Sequence, residues 1–93
     1  MVGKVEDGAE ILDSLLLGHD VVGAGARVRR SIIDKWVTVP AGETVGIDHE
    51  KDLARGFTVV DGGRDVTPDM VRNGYRCTDA CITVVPRGHE FGP

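Results

Sequence analysis

VEDGAEILDSLLLGHDV (residues 5–21), VGAGARVRRSIIDKWVT (22–38) and VPAGETVGIDHEKDLAR (39–55) are three consecutive rows of 17 residues that align without gaps. Aliphatic residues, glycines and serines recur in fixed columns of this alignment: Val5, Val22 and Val39; Gly8, Gly25 and Gly42; Ile11, Val28 and Val45; Ser14 and Ser31; Leu16 and Ile33. A fixed period of this kind indicates a repeat architecture in which equivalent residues of successive repeats stack.

Each row divides into pieces of six, five and six residues, and an aliphatic residue heads each piece. A small or β-branched residue precedes most heads by two positions, and such a pair is what a very short strand turns inward. Three strands per row form a triangular coil, as in a left-handed parallel β-helix. We predict a mainly β fold of about three coils with a C-terminal helix and strand extension. An antiparallel β domain with Gly-rich turns is the alternative.

The Gly-x-Gly of VVGAGARVRR (21–30) has the form of a dinucleotide-binding turn, but Val28 stands where that motif needs its third glycine. The motif also needs a strand before it and a helix after it, and no amphipathic helix follows here. Within the repeat, Gly25 lies at a corner, where the chain turns sharply and favours positive φ. The motif therefore implies no nucleotide.

The composition fits one small domain, with 93 residues, a net charge of −4 and 41% hydrophobic residues. A core this small gives marginal stability, so oligomerisation is expected. No basic face for nucleic acid is visible, and no apolar run approaches the roughly 20 residues of a membrane span. Because the N-terminus lacks the apolar core of a signal peptide, we expect a cytoplasmic protein.

We divide the chain into β-helix coils over residues 1–47 and an extension over residues 48–93 that packs on them within a single domain. FTVV (57–60) predicts a strand, and ACITVVP (80–86) predicts a final strand paired with it. Residues 61–80 resemble an insertion, to which the sequence assigns no role.

Two short helices are predicted in the extension. DHEKDLAR (48–55) begins with Asp48 as a helix N-cap, and its acidic residues come early, as the helix dipole favours. TPDMVRNG (67–74) has Thr67 as N-cap and Pro68 at the first helical position.

The segments VRRSIIDKWVTVPAGETVG (28–46) and DHEKDLARGFTV (48–59) carry IDK, VPAG, VG and ARGFTV in order. In this phasing the chain resembles the C-terminal β-helix domain of bacterial glucose-1-phosphate adenylyltransferase (ADP-glucose pyrophosphorylase) and its sugar nucleotidyltransferase relatives. The resemblance covers residues 5–60, with a weaker echo at ITVVPRG (82–88).

That family places its chemistry in an N-terminal domain entered through a Gly-rich loop, and this chain is already in its first coil by Val5. We therefore expect no adenylyltransferase activity from this chain alone, no catalytic residues and no cofactor. The resemblance implies a non-catalytic module for oligomer assembly and for binding a phosphorylated effector. The alternatives are a subunit or remnant of a split sugar-phosphate nucleotidyltransferase in glycogen biosynthesis, and a small hexapeptide-type enzyme whose histidine at a subunit interface would be His19.

The resemblance also implies a regulatory site for anionic effectors, typically sugar phosphates. Lys35 in IDKWV matches a basic residue of the family, and Arg55 in LARGF is a second candidate. Arg27, Arg29 and Arg30 form a local basic cluster of the kind that holds a phosphate. The alternative is that Lys35 and Arg55 are solvated surface charges and that the three arginines do not converge, because alternate residues of a strand point apart.

An interface is predicted on the outside of the coils. Leu15 and Ile32 lie one above the other at the repeat spacing, with Leu12 and Leu17 nearby, and contiguous exposed apolar residues mark protein contacts. Trp36 falls at a corner, and tryptophan is enriched at interface hot spots. A second copy of the chain is the expected partner, and a nucleotidyltransferase chain is another. Alternatively, the C-terminal segment folds back and covers this face.

Two carboxylates interrupt the inward columns. Asp20 stands where Val37 lies one row later, and Glu43 stands where Ala9 and Ala26 lie in the preceding rows. A buried carboxylate needs a partner or a shifted pKa, so we expect both at frayed or solvent-accessible coil ends. A functional site at Asp20 is the alternative.

No metal site is expected. His19, His49 and His89 share no column, and neither a His-x-x-x-His nor a Cys-x-x-Cys motif accompanies them. Cys77 and Cys81 are expected to be reduced thiols, because cytosolic disulfides are rare.

Overall fold

The computed structural model of the protein describes residues 3–91. Short strands dominate the first half of the chain, and two short helices, α1 (His49–Ala54) and α2 (Pro68–Arg72), lie in the second half. The strands are β1 (Gly3–Val5), β2 (Glu10–Leu12), β3 (Leu15–Leu16), β4 (Asp20–Val22), β5 (Arg27–Arg29), β6 (Ser31–Ile33), β7 (Thr38–Val39), β8 (Thr44–Val45), β9 (Thr58–Asp61), β10 (Arg64–Asp65) and β11 (Cys81–Val85).

Strands of successive rows pair in parallel and form three sheets. The first sheet has the order β1-β4-β7, the second β2-β5-β8, and the third contains β3 next to β6. The registers match the sequence columns: Val5 with Val22, Val22 with Val39, Ile11 with Val28, Val28 with Val45, and Leu16 with Ile33. The predicted period and the mainly β class are thus confirmed, with the stacked parallel strands of a hexapeptide-repeat β-helix.

The core lies between the three sheets. Its members are the inward column residues and two residues from the second half of the chain: Val22, Ala26, Val28, Ile33, Val37, Val39, Val45, Phe57 and Val85. Full burial of one such aliphatic or aromatic side chain stabilises the fold by roughly 1.5–3 kcal/mol. A second, smaller cluster of buried residues lies within the extension and comprises Val59, Val66 and Cys81.

The corners of the coils use left-handed backbone conformations. The predicted corner glycines all have positive φ: Gly8 (79°), Gly25 (71°) and Gly42 (72°). Two further corners have residues other than glycine at the same repeat spacing, Asp13 and Arg30 at one (50° and 44°), His19 and Trp36 at the other (55° and 64°). Corner geometry is therefore repeated even where the residue type is not.

Strand β11 joins the extension to the coils. Its predicted pairing with β9 is confirmed and is antiparallel, and it also pairs parallel with β6, where Val84 lies opposite Ile32. The third sheet therefore has the order β10-β9-β11-β6-β3. The alternative in which the C-terminal segment covers the face of Leu15 and Ile32 is wrong for the described residues, because β11 extends the sheet at its edge.

Both predicted helices of the extension are confirmed. The Asp48 side chain accepts a hydrogen bond from the backbone N–H of Lys51 (3.1 Å), and Thr67 Oγ1 accepts one from Met70 N–H (3.2 Å). The segment 61–80, which had no assigned role, contains β10, α2 and the loop that returns the chain to β11.

Candidate functional site

The outer side of the third sheet carries a row of apolar side chains, which we call the apolar face: Leu15, Ile32, Val60, Ile82 and Val84. Leu15 lies opposite Ile32, Ile32 opposite Val84, and Ile82 opposite Val60. Leu15 is 55% exposed and Ile82 42% exposed. The residues that alternate with them along β6 and β11 are buried, so the face is the outward half of a regular strand pattern.

The other predicted interface residues are also exposed. Leu17 directly follows β3 and is 41% exposed. Leu12 is exposed on β2, in the neighbouring sheet. Trp36 is 56% exposed, and its ring stacks on that of His19, with centroids 4.2 Å apart and planes within 6°. The corner thus holds an aromatic pair beside the coils.

Val60, Ile82 and Val84 are members of the apolar face that were not predicted from the sequence. The alternation in ITVVPRG was the available signal, since Thr83 and Val85 are buried while Ile82 is exposed. The sequence did not reveal that this segment pairs with β6, because residues 46–80 separate it from the repeat.

Of the three predicted arginines in one coil, two line a common pocket. Arg27 is paired with Glu10 of the preceding row, Nε to Oε2 3.2 Å. Arg29 and Arg30 line a pocket of about 320 Å³ that also contains Thr78. Arg30 Nη1 lies 3.5 Å from a carboxylate oxygen of Asp79 on the pocket rim. Strand alternation does not explain why Arg27 lies outside the pocket, because Arg27 and Arg29 are two positions apart on β5 and both point outward.

Lys35 and Arg55 lie elsewhere. Lys35 is exposed, and its backbone carbonyl accepts a hydrogen bond from Gly88 N–H (2.9 Å). Arg55 is mostly buried and bound within the chain, with its guanidinium 2.5 Å from Glu43 Oε1 and 3.0 Å from the carbonyl oxygen of Thr44. The structure does not bring these two cations into the pocket of Arg29 and Arg30.

Glu43 is held as a carboxylate by the extension. Burial would raise its pKa, but the Lys51 ammonium (2.7 Å), the N–H of Thr44 and the Arg55 guanidinium together outweigh burial and lower the pKa to about 2. Burial raises the pKa of Asp52. The Gly46 N–H, which donates a hydrogen bond to this carboxylate at 2.9 Å, and the Arg55 guanidinium lower the pKa but do not outweigh burial. These contacts hold α1 and Arg55 against the coil that contains β8.

The expectation that Asp20 marks a solvent-accessible coil end is wrong. Its side chain is 1% exposed, and Oδ1 accepts a hydrogen bond from Val37 N–H at 2.9 Å, across one coil spacing. Oδ2 has no hydrogen-bond partner. Glu43 is half-buried and bound as described above, so it is not a frayed end either.

The expectation of two reduced, separate thiols is also wrong for this structure. Cys77 and Cys81 are joined by a disulfide, and the ring of His49 lies beside them, Nε2 3.8 Å from Cys81 Sγ. Sequence spacing gave no sign of this cluster, because His49 begins α1 and the cysteines flank a loop after α2. Only the folded extension brings them together.

Among the described residues 3–91, no helix is both long enough and apolar enough to cross a membrane.

Comparison with known families and proteins gives one consistent result. The family model described as GlmU-like, C-terminal hexapeptide, matches residues 2–67. The chain is 45% identical over 60 residues to a glucose-1-phosphate adenylyltransferase of Cutibacterium acnes, an alignment that covers 64% of this chain and 15% of that protein. The identity to the enzyme of the same name from Pseudarthrobacter chlorophenolicus is 49% over 59 residues, covering 63% and 13%.

A relative of the same name from Bifidobacterium longum is 46% identical over 65 residues, which is 70% of this chain and 16% of that protein. The chain thus spans only about one seventh of the length of these relatives. No solved structure matches it significantly.

Proposed function

Because the chain belongs to the family of GlmU-like C-terminal hexapeptide domains, we propose that it is a non-catalytic β-helix module whose apolar face assembles with a second copy of the chain. The proposed fold is left-handed, with about three coils over residues 1–47. The extension over residues 48–93 packs on them, and its last strand adds a rung to the third sheet. A cytoplasmic location is part of the proposal.

The observation that carries this proposal is the apolar face itself. Leu15 and Ile82 are both exposed, with Ile32 and Val84 between them, and the four lie on adjacent strands of one sheet. A contiguous apolar surface of this kind on a small domain marks an association site. Because the outward residues of β6 and β11 on this face carry no charge, the same surface on a second copy complements it, as a two-fold interface requires.

Light scattering on the purified chain tests the proposal, with an oligomer expected for the wild type. Leu15→Asp, Ile32→Asp and Ile82→Asp each place a charge on the apolar face and should shift the mass towards the monomer, since an unpaired charge in an interface is strongly unfavourable. Thr38→Asp is the control, because Thr38 is exposed on β7 of another sheet. A wild-type monomer at micromolar concentration contradicts the proposal, as does an oligomer that all three variants retain.

We also propose that the pocket of Arg29 and Arg30 binds a phosphorylated sugar. Two guanidinium groups on one pocket provide the forked donors that phosphate prefers. Arg30 also lies 3.5 Å from the exposed carboxylate of Asp79, whereas Arg27 and Arg55 are held more closely by carboxylates, at 3.2 Å and 2.5 Å. Thermal shift with glucose 1-phosphate, and with inorganic phosphate as a second probe, measures this binding. Arg29→Ala and Arg30→Ala should abolish the stabilisation, while Arg27→Ala and Lys35→Ala should keep it. No shift of the wild type at millimolar ligand contradicts this site.

A second candidate function is that of a subunit in a split nucleotidyltransferase. The names of the relatives and the short alignment to each of them support it. Both functions require the chain alone to be inactive in adenylyl transfer to glucose 1-phosphate. Turnover by the purified chain would contradict both and would favour the hexapeptide-enzyme alternative, with His19→Ala as its first variant.

A further inference from the structure

The extension gathers three side chains that ligate soft divalent cations. One potential ligand atom from each side chain lies within 4.8 Å of the other two: a ring nitrogen of His49, Cys77 Sγ and Cys81 Sγ. The distance from Cys81 Sγ to His49 Nε2 is 3.8 Å. Cys81 is buried, whereas His49 and Cys77 are half-buried. The cluster is therefore shielded from solvent at Cys81 and partly open to solvent at His49 and Cys77.

The geometry points to a zinc site formed by His49, Cys77 and Cys81 when the two cysteines are reduced. Zinc binds cysteine sulfur at about 2.3 Å and histidine nitrogen at about 2.0–2.1 Å in tetrahedral geometry. These lengths give a sulfur to nitrogen edge of roughly 3.6 Å and a sulfur to sulfur edge of roughly 3.8 Å. The edge between His49 and Cys81 is thus already near its final length.

The bonded cysteines must separate before they bind a metal. Two-electron reduction by an added phosphine breaks the Sγ–Sγ bond and gives two thiols, with the phosphine oxidised to its oxide by uptake of water. Each thiol then loses a proton when it ligates the cation. Cys81 lies on β11, whereas Cys77 lies on a loop, so the Cys77 side chain supplies the movement.

Two sets of hydrogen bonds hold the ligands in place independently of the disulfide. Asp61 accepts hydrogen bonds from Tyr75 Oη (2.5 Å), from Thr78 N–H (3.0 Å) and from Thr78 Oγ1, which fixes the loop that carries Cys77. The Asp48 cap fixes the first turn of α1, where His49 lies. Reduction therefore leaves the three ligands near one another, as a preorganised site requires.

The site has room for a fourth ligand. All three side chains line the pocket that also contains Arg29 and Arg30. Zinc with three protein ligands keeps one position for water or another group, and the two guanidinium groups favour an anion there. This site does not depend on assembly through the apolar face, which lies on the outer side of the sheet.

A Co²⁺ titration of the full chain, reduced with a phosphine and freed of oxygen, tests the inference, followed by displacement with Zn²⁺. We expect one cation per chain and a thiolate-to-cobalt charge-transfer band. His49→Gln, Cys77→Ser and Cys81→Ser should each weaken binding more than the 10–100-fold typical of an outer-shell change. His19→Gln is the matched control and should bind like the wild type. The oxidised chain should show no charge-transfer band.

Alkylation of the wild type keeps the test independent of variant folding. Stoichiometric Zn²⁺ should slow the reaction of both thiols with iodoacetamide in the reduced chain. Equal alkylation rates with and without Zn²⁺ would overturn the site. A cobalt band that survives His49→Gln unchanged would overturn the three-residue assignment.

Discussion

Gly23 and Gly25 have different roles in one corner of the second coil. A Cβ on Gly23 would lie 2.5 Å from the backbone nitrogen of Ala41, a contact that real side chains do not make. Gly25 has open space around it, but its φ of +71° lies in the left-handed region. The first glycine is required by the close approach of the next coil, and the second by backbone conformation.

Alanine at each of these glycines should therefore have a different effect. Gly25→Ala should cost about 1–2 kcal/mol of unfolding free energy, the usual penalty of a left-handed residue with a Cβ. Gly23→Ala should cost more, because the backbone of Ala41 must move. Urea denaturation of the two variants measures the difference, and equal costs would show that the coils are not stacked as described.

Glu43 makes stability depend on acid pH. Its folded pKa of about 2 lies below the ordinary value of 4.5, so the ionised form stabilises the folded state. That contribution is fully present above about pH 4.5 and is lost as the pH falls towards about 2. The melting temperature of the wild type should therefore fall more steeply across this range than that of Glu43→Gln. Parallel curves for the two proteins would contradict the ion-pair network of α1.

At the scale of the elements, most of the repeat could be predicted from the sequence. The columns at Val22, Val28 and Ile33 follow from one period, and the N-caps Asp48 and Thr67 follow from local hydrogen bonding. These features need only neighbours in sequence or one fixed spacing. They are therefore the features that sequence periodicity and capping preferences specify.

The pairing of β11 with β9 was predicted, but its pairing with β6 could not be, because residues 46–80 intervene between β8 and this strand. Its pairing with both β9 and β6 decides the strand order of the third sheet. The same pairing brings Val84 beside Ile32 and Cys81 near His49. Both the full apolar face and the cysteine cluster depend on this contact between segments distant in sequence, which no period encodes.

At the scale of the whole molecule, a short stack of coils has little core and large ends. The buried column residues are few, and small domains have marginal stability, so association would add the burial of apolar surface that one chain lacks. The third sheet presents its apolar face on one side and the core on the other. The extension contributes β9, β10 and β11 to this third sheet. Association through the apolar face would bury the outer side of the sheet.

Hydroxyl-radical labelling of the assembled wild type is the most direct test of the proposed interface. Leu15 and Ile82 are 55% and 42% exposed in the single chain, and Val5, on the first sheet, is 44% exposed. If the apolar face joins two copies, labelling at Leu15 and Ile82 should fall well below that at Val5 as the concentration rises. Labelling of all three in proportion to their single-chain exposure at every concentration would contradict the interface.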